Sequence, residues 1–125
     1  MEWKRLYEDS SDQISPDKIL DLLIHLSKIG ALRFKDVNYE DDGGDIILKT
    51  VWGKVKCDFS EEEQGDYTGD GWSDAFCTFI ADTDNEEYVY YVRASASGKG
   101  SSDDFQVEEY NDILNIWKDP IKRKQ

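Results

Sequence analysis

Apolar positions recur at three- and four-residue spacing near the start of the chain. Ile19, Leu22, Leu23, Leu26 and Ile29 form one stripe, and Leu20 and Ile24 widen it. Ser15 is a good N-cap residue, Pro16 suits the first helical position, and Asp17 complements the positive end of the helix dipole. Ile14 and Ile19 are spaced for a hydrophobic staple, and Gly30 is the expected stop. The pattern predicts a helix over 14–30.

The pattern then changes to alternation. Residues 31–39, with Leu32, Phe34 and Val37, read as a strand, followed by a turn over 40–45 that contains Gly43 and Gly44. Residues 46–59 read as a second strand. Val51, Gly53, Val55, Cys57 and Phe59 share one face, and Trp52, Lys54, Lys56 and Asp58 share the other. Residues 60–71 contain acids and glycines but no aliphatic residue, and read as a polar loop. Residues 72–81 form a third strand, 82–86 a turn, and 87–94 a fourth strand rich in tyrosine and valine.

Residues 95–102 are a Ser/Gly run that reads as a flexible loop. Beyond it, Val107, Tyr110, Ile113, Leu114 and Trp117 fall on one helical stripe. Ser101 or Ser102 can cap that helix, and Pro120 ends it. The first residues can add a fifth strand, since Trp3, Arg5 and Tyr7 share one parity. The expected fold is therefore one α+β domain spanning 1–125. It has two layers: an antiparallel meander of four or five strands, packed by an N-terminal and a C-terminal helix.

Charge narrows the partners. The chain has 28 Asp and Glu against 15 Lys and Arg, a formal net charge of −13. The tail over 118–125 holds four basic residues and one acid, which suits the negative end of a C-terminal helix. The acidic body repels nucleic acid and anionic membrane and attracts cationic proteins, although acidity also serves solubility. Cys57 and Cys77 lie in apolar strand-like runs. Two buried reduced thiols in a cytoplasmic protein is the reading preferred over a single bridge between neighbouring strands. No leader-like apolar stretch follows the first charges, and the apolar run 19–29 is too short to span a bilayer.

Catalytic signatures are missing. The single histidine, His25, lies within the first helical pattern, and no serine sits in a nucleophile-elbow motif. No phosphate-binding glycine motif occurs, and no pattern implies a cofactor. Asp66, Thr68, Asp70 and Asp74 match four ligand positions of a calcium loop, but the twelfth position, normally a bidentate Glu, is Cys77. A turn built of Gly and Asp explains the segment as well, and no metal ligand is assigned.

What remains is a mixture of acids and aromatics. Glu61, Glu62, Glu63, Asp66, Tyr67, Asp70, Trp72 and Asp74 crowd one segment, and Trp52 is expected to face outward on the sheet. Such aromatics can anchor an interface while the acids steer a cationic partner. In size, acidity and compact α+β reading the chain resembles bacterial immunity proteins, the cognate inhibitors of secreted nuclease or other toxin domains. No residue motif carries that resemblance, so it transfers no site residue. The expectation is a non-enzymatic protein that occludes a basic partner. The alternatives are a phage-encoded nucleic-acid mimic aimed at a host defence or DNA-binding protein, and a metal-responsive or structural domain.

Overall fold

The computed structural model describes residues 14–33, 36–100 and 104–122. The expected strand near Trp3 and the expected cap at Ser101 or Ser102 lie outside these residues. The described chain forms one helix, α1 (Pro16–Lys28), and six strands. These are β1 (Val37–Asp42), β2 (Asp45–Thr50), β3 (Gly53–Gly69), β4 (Trp72–Ala81), β5 (Tyr88–Lys99) and β6 (Gln106–Pro120). Each strand pairs antiparallel with its sequence neighbour, in the order β1-β2-β3-β4-β5-β6. The meander is observed, but the sheet of four or five strands flanked by two helices is not. There are six strands, and the C-terminal helix is replaced by β6.

The helix forms as its local signals predict. The Ser15 carbonyl accepts from the Lys18 and Ile19 N–H groups at 3.1 and 3.2 Å, while the Ser15 side chain makes no capping bond. At the far end the Gly30 N–H donates to Ser27 and the Ala31 N–H to Leu26, the paired bonds of a Schellman cap. Ile19, Leu20, Leu22, Leu23 and Leu26 are buried against one face of the sheet.

The change from an expected helix to β6 has a specific cause. Val92 pairs with Ile116, Ala94 with Ile113, Ala96 with Tyr110 and Gly98 with Val107. β5 advances two residues per step and β6 advances three, because each step on β6 contains a bulge. Three bulges turn the strand's period of two into a period of three. Val107, Tyr110, Ile113 and Ile116 thus share one face, and the same spacing imitates a helical stripe. Leu114, placed on that stripe by the helical reading, is a bulge residue that is 49% exposed.

Three other segments differ from their expected bounds for similar local reasons. Residues 46–59 divide at Val51 and Trp52, which form a two-residue turn between β2 and β3. The Thr50 hydroxyl donates to the Gly53 carbonyl at 2.8 Å and accepts from the Trp52 and Gly53 N–H groups at 3.1 Å. Trp52 is therefore buried in the core, 5% exposed, and not on an open sheet face. The expected loop 60–71 is mostly strand: β3 runs to Gly69 and turns at Asp70-Gly71. Asp70 has φ 54° and Gly71 φ 83°, the left-handed pair required by the tightest hairpin turn. Residues 95–99, expected to be flexible, continue β5.

The sheet curls until its two edges approach. The rings of Tyr39 on β1 and Tyr110 on β6 meet edge to face at 6.4 Å, and the Tyr110 hydroxyl donates to the Gly44 carbonyl at 3.4 Å. No ladder joins β1 to β6. A cavity of about 240 Å³ lies along this seam, lined by Val37 and Tyr39 on one side and Asn111, Asp112 and Ile113 on the other. No described helix is long and apolar enough to cross a membrane.

Candidate functional site

The β2 ladder ends where Ile46 meets Cys57, so beyond Phe59 one edge of β3 has no strand partner among the described residues. From Ser60 to Gly69 β3 pairs only with β4, and this arm carries the predicted acids. Glu61 and Glu63 lie opposite Thr78 and Phe76, while Glu62 lies opposite Cys77 and Gln64 opposite Ala75 on the other face. Both faces of the arm are wet, so no apolar alternation marks it as strand. Its bulges and charges suit an unpaired edge, because they discourage a second sheet from adding to it.

Among the described residues the arm's charge is nearly uncompensated. Between Lys56 and Arg93 the chain carries eleven acids and no basic residue. Glu63 meets Arg93 at 3.5 Å across the sheet. Glu61, Glu62, Asp66, Asp70 and Asp74 are all exposed, and none of them forms an ion pair among the described residues. Calcium-loop geometry is not formed. Asp70 sits in the hairpin turn, and no cluster of three metal-ligating side chains occurs among the described residues.

The two aromatics expected beside the acids take different roles. Tyr67 is 69% exposed, and its hydroxyl accepts the Gly71 N–H at 3.0 Å, folding the ring back over the turn. Trp72 is half-buried on the sheet face opposite α1, with the Lys99 ammonium 4.7 Å from its ring centre. It belongs to a row that the sequence reading did not recognise. Arg93 stands 5.1 Å over Phe76, and Tyr91 stacks on Trp117 at 5.2 Å. The available signal was the shared parity of Tyr91, Arg93 and Lys99 on β5.

A second feature lies on the inner face, on the side away from the β2–β3 turn. An open pocket of about 430 Å³ is lined by Asp45, Phe59, Glu62, Phe105, Tyr110 and the Gly43-Gly44 turn, among others. Its rings are fixed by a chain of edge-to-face contacts, with Phe59 on Phe79 at 5.8 Å, Phe79 on Tyr110 at 5.4 Å, and Tyr110 on Tyr39. Burial, reinforced by Cys77 and the nearby Asp41, Glu62 and Asp45, pushes the Tyr110 phenol up to about 12. The period-three placement of Tyr110 on β6 hid this site from the sequence.

Cys57 and Cys77 are free and buried on the inner face. Burial, with smaller effects from neighbouring acids, pushes their thiols up to about 12 and about 11, so neither is primed as a nucleophile. Comparison of the chain with protein-family models, curated proteins and solved structures finds no match.

Proposed function

We propose that the protein is a non-enzymatic acidic binder that neutralises a basic protein partner by occlusion, in the manner of a bacterial immunity protein facing its toxin domain. The observation that carries this reading is the uncompensated row of carboxylates on the β3–β4 arm. Mounted on paired strands, the backbone that carries these charges is ordered before the partner arrives, so the ordering cost at binding is confined to the side chains. Their field accelerates encounter with a cationic surface, and Trp72 and Tyr67 supply contact area beside them. Carboxylates at strand spacing can occupy the basic groove in which a nuclease grips phosphates. The cytoplasm is the compartment in which two free thiols are kept reduced.

The test compares the wild-type chain with a variant in which Glu61, Glu63, Asp66 and Asp70 become Gln or Asn. Each protein is immobilised and exposed to lysate of the source cell at low and then high salt. The wild type should retain a basic protein at low salt and release it at high salt, and the variant should not retain it. Equal retention by both would remove the arm from the interface. The identity of the retained protein separates immunity from nucleic-acid mimicry, since a toxin domain and a host DNA-binding protein are different captures.

A further inference from the structure

We infer that the pocket formed by Phe59, Tyr110, Phe105, Asp45 and Glu62 takes an arginine side chain of the basic partner. This inference rests on the proposed function and names the anchor that the partner inserts. Among the described residues, the lining contains two carboxylates and no basic residue. One oxygen of Asp45 accepts the Phe59 N–H at 3.0 Å, which fixes the carboxylate and leaves its other oxygen available. Glu62 is exposed and makes no ion pair among the described residues. An anion is repelled here, and a neutral apolar ligand would strip water from two carboxylates without compensation.

The walls favour a flat cation. Phe59 is 42% exposed at the mouth, and its ring orientation is set by its edge contact with Phe79. Phe105 lies against Gly98, where a Cβ would fall 2.8 Å from its ring. A guanidinium can stack on an aromatic face while its fork of N–H donors meets carboxylates, and an ammonium offers no flat face. Glu62, which lines the pocket, belongs to the acidic arm, so an arginine entering the pocket brings the rest of a basic surface close to that arm. Charge complementarity therefore points to the same partner at both places.

The probes are three capped tripeptides, Gly-Arg-Gly, Gly-Lys-Gly and Gly-citrulline-Gly, together with spermidine and a capped tetra-arginine peptide. Amide chemical shifts of the isotope-labelled full chain are followed in titrations. The arginine tripeptide should give saturable shifts at Gly44, Phe59 and Gln106, with citrulline, its neutral isostere, about tenfold weaker or more. Glu62→Gln should weaken arginine binding about fivefold or more, and Phe59→Leu should do the same while thermal unfolding stays cooperative. Equal binding of citrulline or spermidine at these amides would overturn the assignment. Arginine shifts confined to residues 61–74 would overturn the pocket and leave the acidic-arm reading standing. If tetra-arginine shifts no amide anywhere at low salt, both readings fail.

Discussion

Tyr90 donates a 2.9 Å hydrogen bond to Asp21, tying the start of β5 to the middle of α1. The same carboxylate oxygen accepts from Lys118 at 2.9 Å, and the Lys118 ammonium lies 4.4 Å from the Tyr88 ring centre. One acid thus joins the helix to both C-terminal strands. Tyr90→Phe should lower unfolding free energy by about 1–2 kcal/mol, because it removes a bond to a charged acceptor and leaves packing intact. Lys118→Met should cost less, about 0–1 kcal/mol, since that pair is largely in solvent. Urea unfolding of both single variants and the double variant measures the coupling. An unchanged midpoint in Tyr90→Phe would show that the bond does not hold the helix.

The bulged reading of β6 separates neighbours that a helix would treat alike. Ile113 is 8% exposed and Ile116 3%, whereas Leu114 is 49% exposed. Ile116→Ala should destabilise by about 2–5 kcal/mol, and Leu114→Ala by no more than about 0.5 kcal/mol. Comparable losses at the two positions in thermal unfolding would contradict the three-residue register.

Gly98 faces Val107 at the last of these bulges. A Cβ there would run into the backbone carbonyl of Gln106, which cannot move aside without opening the β5–β6 ladder. Gly98→Ala should therefore cost on the order of 3 kcal/mol or more, through overpacking against backbone. It should also broaden the amide signals of residues 105–108. A fully stable Gly98→Ala protein would mean that β6 does not approach so closely.

The thiols give a chemical test of burial. At pH 8 neither Cys57 nor Cys77 should react with a thiolate-selective reagent in the folded protein, and both should react after unfolding in urea. Rapid modification of Cys77 in the native state would show that the inner face is open there.

Alkaline stability follows from the same burial. Tyr110 and Tyr90 have folded-state pKa values above the unfolded value of 10.0, chiefly through burial. Above that value the unfolded chain loses these protons first, so folding binds protons and stability falls as pH rises. Stability should be unaffected by these groups below about pH 9 and should decline from pH 10 through about 12, with a smaller decline in Tyr110→Phe. Urea midpoints across this range, with phenolate absorbance, provide the check. A flat profile would mean that Tyr110 titrates normally.

The parts legible in the sequence share a property: their pattern repeats without interruption. The α1 stripe and the alternation of Trp72–Ala81 both appear where their residues predict. The parts that were not legible are those where an insertion breaks the phase. On β6 three bulges manufacture a helical spacing. Between β2 and β3 the buried positions pass from even (Ile46, Leu48) to odd (Val55, Cys57), and that switch marks the two-residue turn. On the arm, Asp70-Gly71 is a strong hairpin signal that a calcium-loop pattern obscured. The acids of the candidate site were legible as residues because acidity does not depend on register. The aromatic pocket was not, because Phe59 and Tyr110 come together only through the curl of the whole sheet.

That curl sets an order of events. Each strand adds beside the one made before it, so the meander can grow hairpin by hairpin from local contacts. The inner wall is complete only when β6 supplies Tyr110, Ile113 and Ile116, and the first strand touches the last mainly through Tyr39 and Tyr110. During synthesis α1 and the first five strands must wait with an apolar face open until β6 has emerged. A ribosome-stalled chain ending before Gln106 should accordingly bind a hydrophobic dye that the finished protein excludes.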